Sequence, residues 1–584
     1  MSKRKIGVNP SLAKPEATLT VGQKLLDRTN LVALSVILVL TLIIFWRATG
    51  NGFTDWDDDL YVVKSELITH LGWESFKSYF TTLTANLYTP LVTLSYAIDF
   101  RIYGMDASGF HLTNLVLHVI NVILVYVLTF RVFKRSLVAA LTALLFAIHP
   151  LQSEAVVWIS SRKDLLFTFF YLLGLITYIR YISEKKVWFL ILTFALFILS
   201  VLSKPIAFTF PLVLLWIDYF MNGTITRREV FQKIPFVVVS VVIGIMGIYL
   251  VREYDVFATA PTGYNFFDKF CLAAYALAFY IYNALIPTGI SNYHEYPFKD
   301  GSFLAAGYVL SPLLVLLLLF ILYKGIRTNF ILVSGLIVFL IVIGPTLRLL
   351  PTGYPIAADR YFYLASIGFF WSVILTLEKI ATYSFALRSI VIAVSCALLL
   401  VFAVVSYRRV PEWKDSYSLW NSTLKKNLYH EVANDHLGRL YDNAGDKDRA
   451  FVLFQRVIEK NKTKYDIMNS VGNILIDRKQ PEEAIKYFDL AIATGKADHL
   501  PYYNRGMVYS DRSEFGKAII DFDQAIERKP DFAEAFNNRG IAKIKSGDTL
   551  GAYKDFNIAV RLNPADQMMQ NNLFRIKSML QPEN

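Results

Sequence analysis

A chain of 584 residues that is 55% hydrophobic and only 18% charged cannot be soluble throughout, since soluble globular proteins carry about 25% charged residues. The apolar excess ends near Tyr407 and the region after His430 is polar and close to neutral, so the net charge of +12 belongs to the apolar part. There it reads better as a positive-inside topology signal than as a nucleic-acid footprint. The two cysteines, Cys271 and Cys396, sit inside apolar segments as small hydrophobes, which excludes a disulfide framework or a cysteine zinc site.

Residues 1–30 form a basic tail (Lys3, Arg4, Lys5, Lys14, Lys24, Arg28), which places this end in the cytoplasm. No small-residue cleavage site follows, so the first apolar run is expected to be a retained anchor. A membrane-spanning helix needs roughly 17–25 mostly apolar residues. Such segments cover 31–48, 110–130, 137–157, 164–182, 187–203, 205–221, 234–251, 267–286, 303–323, 329–348, 361–377 and 387–407, making 31–407 one polytopic domain. With the N-terminus inside, Arg131-Lys134-Arg135, Lys185-Lys186 and Arg227-Arg228 with Lys233 fall inside too. Twelve complete crossings would put Lys324 and Arg327 outside. Treating 267–286 as re-entrant leaves eleven, keeps those cations inside and puts the polar C-terminal region outside; this solution is preferred. It gathers 292–300 and 351–360 on the same outer face as the loop after the first span. The aromatic, charge-broken stretch 77–110 is expected to lie along that face as interfacial helices.

Beyond the membrane domain, 408–430 reads as a connector and half repeat, with Trp420 lying 34 residues before Phe454. Three ladders then recur at that period: Gly438, Gly472, Gly506 and Gly540; Ala450, Ala484, Ala518 and Ala552; Phe454, Phe488, Phe522 and Phe556. This is the tetratricopeptide (TPR) pattern, in which small residues let paired helices approach and an aromatic fills the seam. Four repeats start at 431, 465, 499 and 533 and run to 566, and 567–584 forms a capping helix. The expected fold class is all-α, a polytopic helical membrane domain followed by a TPR α-solenoid. Asn504 and Asn538, both at position 6 of their repeats, are candidates for binding the backbone of an acceptor peptide, against the plainer reading of ordinary polar helix residues.

Asp57 and Asp58 open the first outer loop within Asp55-Trp56-Asp57-Asp58-Asp59. Charge so close to a bilayer is costly unless it is solvated or used, and the pair reads as a general base, a metal ligand or a solvated loop. The third span ends in His149-Pro150, Glu154 follows, and Arg162-Lys163-Asp164 lies on the same face. Lys204, between two apolar helices, needs an anionic partner or an escape to the interface. Asp359-Arg360-Tyr361 opens the penultimate span, while His111 and His118 read as packing residues. Together these groups supply carboxylates to deprotonate an acceptor hydroxyl or hold a divalent metal, and cations to stabilise a phosphate leaving group. That is equipment for transferring a group from a lipid-linked phosphate to a hydroxyl.

At these residues the chain resembles a known family. Segments 53–61, 88–94, 111–121, 146–165 and 359–364, in this order and with tandem repeats at the end, look like the transmembrane, TPR-containing O-mannosyltransferases and their bacterial relatives. Those are membrane glycosyltransferases of the C-type fold. The resemblance implies a mannose-like hexose drawn from a polyprenyl or dolichyl phosphate, active-site loops and repeats on the periplasmic or luminal side, and an acceptor protein held by the TPR groove. The family's acidic pair falls on Asp57 and Asp58, its acid in the His-Pro segment on Glu154, and its following arginine and aspartate on Arg162 and Asp164. Lys204 matches the family lysine, whereas Pro205 stands where animal members have an acid. With four repeats the chain looks bacterial, which implies the inner membrane; a eukaryotic source would imply the endoplasmic reticulum.

The expected site therefore has Asp57, Asp58 and Glu154 as catalytic carboxylates, Arg162, Lys204 and Arg360 on the donor phosphate, and His149 and Asp164 in support. Asp58 and Glu154 are the candidate ligands should a magnesium or manganese ion take part; no nucleotide cofactor, haem or nucleic-acid partner is expected. Two other readings stay open: a non-catalytic membrane scaffold whose repeats recruit partners, and a polysaccharide polymerase or ligase.

Overall fold

The computed structural model describes residues 27–84, 87–253, 263–297, 299, 304–347, 349 and 355–580. The expected basic tail up to residue 26, residues 351–354 of the loop before Arg360, and 581–584 of the terminal helix lie outside them. The described residues form helices and no strand, with isolated bridges only at Thr84–Leu87 and His294–Ala357, so the all-α expectation holds. The chain divides into two compact units between Ser422 and Thr423.

In the first unit, α1 (Arg28–Phe45) leads into the Asp57 loop, followed by the short helices α2 (Trp73–Thr81) and α3 (Pro90–Tyr103). Next come α4 (Ala107–Phe133), α5 (Ser136–Ile148), α6 (Ser153–Val157), α7 (Arg162–Glu184) and α8 (Val187–Ser203). The chain continues through α9 (Phe210–Asn222), α10 (Arg227–Glu253), α11 (Phe266–Leu285), α12 (Pro312–Thr328) and α13 (Phe330–Ile343). It ends with α14 (Phe362–Ala381), α15 (Phe385–Arg409) and the first residues of α16 (Ser416–Lys426), the helix in which the boundary falls. Long apolar runs become helices because in lipid every backbone polar group must be satisfied within its own segment.

Among the described residues eight helices are long and apolar enough to cross a membrane. A ninth appears if Ser136–Ile148 and Pro150–Val157, bent by 55°, count as one span. Val187–Ser203 and Phe330–Thr346 are shorter apolar helices, and α11, the segment expected to be re-entrant, falls in neither group. The protein is a multi-pass membrane protein.

Small residues and isolated polar pairs set the helix register. A Cβ placed on Gly335 or on Gly368 would come under 3.0 Å from the other's carbonyl oxygen, so α13 and α14 meet backbone to backbone. Trp371 donates its indole N–H to Thr129 (2.9 Å), and Asn121 donates to the Leu165 carbonyl (3.0 Å). Both bonds are buried, where leaving either partner unmade is costly.

At one end of these helices the first loop meets the segment that leaves α15. Gly52 N–H donates to the Lys414 carbonyl (2.7 Å) and Asn51 to that of Val410 (3.2 Å). The stretch read as connector and half repeat is thus divided, and Trp420 packs in the first unit against Trp56 rather than in a repeat seam.

In the second unit four helix pairs begin at Glu431, Tyr465, His499 and Ala533, and a single helix, Gln567–Leu580, follows. A Cβ on Gly438, Gly472, Gly506 or Gly540 would lie under 3.0 Å from the ring of Phe454, Phe488, Phe522 or Phe556 respectively. Each ladder glycine therefore receives its own repeat's buried phenylalanine, which is why both recur at one period. Gly472→Val should cost the array about 1–3 kcal/mol through overpacking. The check is the urea midpoint of the repeats' helical signal, and an unchanged midpoint would contradict this seam.

Candidate active site

α7 opens with three consecutive charges. A helix turns about 100° per residue, so they leave it in three directions. Arg162 is fully buried, ion-pairs with Asp99 of α3, and donates to Asn114 (2.8 Å) and to the Phe110 carbonyl (2.7 Å) on α4. Its guanidinium also lies 4.6 Å over the Tyr96 ring. Burial pushes the Asp99 carboxyl above the ordinary carboxylate range, against the Arg162 charge that draws it down. Lys163 points to the first loop, with Nζ 3.6 Å from Asp57 Oδ2 and 3.5 Å from the Tyr61 hydroxyl. Asp164 accepts from Lys204 Nζ at 2.5 Å.

Glu154, on α6, is fully buried, and both of its oxygens serve Arg360. Oε2 accepts the Arg360 backbone N–H (2.9 Å), and Oε1 accepts its guanidinium. The Arg360 guanidinium lies 5.1 Å over Trp158 and 5.0 Å over Tyr361, and the Lys204 ammonium lies 5.2 Å over that same tyrosine ring. A small cavity here has a polar wall of Asp164, Lys204, Arg360 and Tyr361 above Phe167 and Leu364. Asp57 and Lys163 act electrostatically on Arg360.

The acidic run of the first loop resolves into different tasks. Asp58 is buried and accepts the N–H and hydroxyl of Thr54 (both 2.9 Å) together with the N–H (3.0 Å) and hydroxyl (2.5 Å) of Ser160. Burial pushes its carboxyl up, opposed by those four hydrogen bonds. Asp55 accepts the Trp420 indole N–H at 2.8 Å. The Asp57 side chain, by contrast, stays 30% exposed beside Lys163. Behind this group, Asp359 accepts from Arg409 (2.7 Å), which also donates to the Pro150 carbonyl (3.0 Å) and to Asn292 (3.2 Å).

The expected residues therefore separate. Asp57, Glu154, Asp164, Lys204 and Arg360 come together, with Lys204 paired to Asp164 instead of snorkelling. Arg162 stands apart from them, its guanidinium engaged by Asp99 and by two acceptors on α4. His149 is a core histidine: Nδ1 accepts the Leu151 N–H (3.2 Å), Nε2 donates to the Ala284 carbonyl (3.1 Å), and Phe362, Phe370 and Phe402 surround it. His118 bonds Tyr363 and Ala147, and His111 bonds Gly52, as packing residues do.

The candidate metal ligands do not fit a cation as arranged, since Asp58 is saturated by four donors and Glu154 by Arg360. No group of three or more His, Cys, Asp or Glu side chains suited to a metal gathers among the described residues. In the second unit Asn504 donates to Asn469 (2.9 Å) and Asn538 to the Tyr503 hydroxyl (2.8 Å), both inter-repeat links. Sequence reasoning did not assign Lys163 to the site, although its place between two charged neighbours on a helix start was a signal. Nor did it find Tyr61, Trp56 or Trp158, whose roles arise from contacts between distant segments.

The fold and these loops define an all-α polytopic membrane protein with tandem repeats and acid–cation pairs gathered at one end of its helices. A family model described as tetratricopeptide repeat matches residues 501–532. A protein O-mannosyl-transferase of Caenorhabditis elegans is 26% identical over 379 residues, 62% of this chain and 52% of that protein. The human protein O-mannosyl-transferase TMTC3 is 22% identical over 560 residues, 85% of this chain and 60% of that protein. The mouse protein O-mannosyl-transferase TMTC1 is 38% identical over 98 residues, 17% of this chain and 10% of that protein. The chain thus resembles the membrane, TPR-containing protein O-mannosyl-transferases, and it spans about half the length of the first of these. Among solved structures, MamA is 21% identical with a TM-score of 0.24, covering 29% of this chain and 86% of that chain.

Arg162→Met leaves the Asp99 carboxylate buried without its cation and should cost about 3–5 kcal/mol. Lys163→Met leaves a partly exposed acid and should cost far less. Thermal unfolding in detergent compares the two, and equal melting temperatures would refute the division of labour.

Proposed function

We propose that this chain is a membrane glycosyltransferase that moves a mannose-like hexose from a polyprenyl- or dolichyl-phosphate donor to a hydroxyl of a protein acceptor held by the repeats. One observation carries the reading: a partly exposed carboxylate, Asp57, stands beside Lys163 and acts electrostatically on Arg360, which with Lys204 lines a small cavity. In this reading the acceptor hydroxyl attacks the anomeric carbon and gives its proton to Asp57. The bond between that carbon and the phosphate oxygen breaks, and the lipid phosphate leaves with its charge met by Arg360 and Lys204. Glu154 and Asp164 hold these two cations in place through the paired contacts described above.

The arrangement also supports placing the repeats on the same side as the active-site loops. Because residues 51–55 bond to 410–420, an even number of crossings separates them, which favours eleven spans over twelve. With the basic end in the cytoplasm, site and repeats then face the periplasm or lumen. Position-6 residues Asn504 and Asn538 would exchange their inter-repeat partners for the backbone of the acceptor.

Asp57→Asn should lower hexose transfer by about 10²–10⁴-fold while the protein still inserts and folds. Asp58→Asn should instead lower thermal stability, since it places an amide against four donors. Transfer at the wild-type rate by the Asp57 variant would refute the assignment, and the comparison also tells catalysis from scaffolding. A C-terminal reporter active only outside the cytoplasm is the expected topology result; cytoplasmic activity would contradict it.

A further inference from the structure

The Asp57 loop has little regular structure of its own between the helical turns Trp46–Gly50 and Asp59–Val63. Groups on a loop reach catalytic precision only when packing and hydrogen bonds from rigid neighbours hold them. We propose that the segment leaving the last apolar helix, residues 410–420, is the positioning element for Asp57; this rests on reading Asp57 as the base.

Ser416 and Trp420 are four residues apart on α16 and so share one helix face. That face grips Asp55 at two points: the Asp55 N–H donates to Ser416 Oγ (2.8 Å), and the Trp420 indole N–H donates to Asp55 Oδ1 (2.8 Å). Two further bonds, from Gly52 to the Lys414 carbonyl and from Asn51 to that of Val410, tie down the start of the loop. Between Asp55 and Asp57, the Trp56 ring sits among Trp158 (4.8 Å), Tyr293 (5.4 Å), Trp420 (5.5 Å) and Trp413 (6.0 Å). Residues on both sides of Asp57 are therefore held, since Asp58 is clamped by Thr54 and Ser160. The direction of the Asp57 carboxylate follows from a segment more than 350 residues away in sequence. Ser416 and Trp420 are positioning residues in this scheme.

The test uses the full chain carrying Ser416→Ala with Trp420→Phe, which removes both bonds to Asp55 and keeps an aromatic ring in place. The turnover rate should fall about 10–100-fold with the donor KM held within about twofold. Hydrogen exchange should quicken in 51–61 and not across the other helices. Restoring Ser416 alone should recover part of the rate. Wild-type turnover with wild-type exchange would overturn the proposal, as would a raised KM at constant turnover, or faster exchange spread over the whole unit. A wild-type protein that transfers no hexose would instead refute the functional reading, and the exchange data would still decide whether 410–420 holds the loop.

Discussion

The first unit depends on how three adjacent charges at the start of α7 are neutralised. An ion taken out of water costs several kcal/mol even after relaxation, so each needs a partner with good geometry. Arg162, Lys163 and Asp164 project about 100° apart and must find three separate partners. Asp99 comes from α3, Asp57 from the first loop and Lys204 from the turn after α8. Satisfying one helix start thereby draws three remote segments to one end of the bundle.

The same economy separates the neighbouring acids and cations. Buried carboxylates supplied with many donors, such as Asp58, or with a guanidinium on one oxygen and a backbone N–H on the other, such as Glu154, are fixed and hold backbone in place. Asp57 has a long contact to Lys163, acts electrostatically on Arg360 and stays partly exposed. Arg360 and Lys204 share the Tyr361 ring and keep their own acids behind them, so two cations remain side by side at the cavity wall. A polar group of this kind persists near a bilayer because every charge in it has an opposite neighbour.

The repeats follow a different logic. Each helix pair closes on a glycine facing a phenylalanine of the same repeat, and neighbouring pairs are linked by amide and hydroxyl side chains such as Asn504 to Asn469 and Asn538 to Tyr503. Bonds of this sort hold the array in register.

Much of this was legible in the chain itself. Apolar runs bounded by cations mark spans because lipid admits only internally bonded backbone, and a seam that must repeat writes Gly438 to Gly540 and Phe454 to Phe556 at one period. The acids and cations of the loops could also be expected on one face from the alternation of spans alone. Which partner each of them takes could not. Asp57 and Asp58 are the same residue type at adjacent positions, and Arg162 and Lys163 likewise present two cations in a row. How each is held depends on what stands opposite: Thr54 and Ser160 for Asp58, Asp99 for Arg162, Asp57 for Lys163. Sequence by itself determined the helices, the repeats and the set of charged candidates, because periodicity and solvation act locally. Only the tertiary structure decided which charges are consumed, because that is settled by partners brought together from segments far apart in the chain.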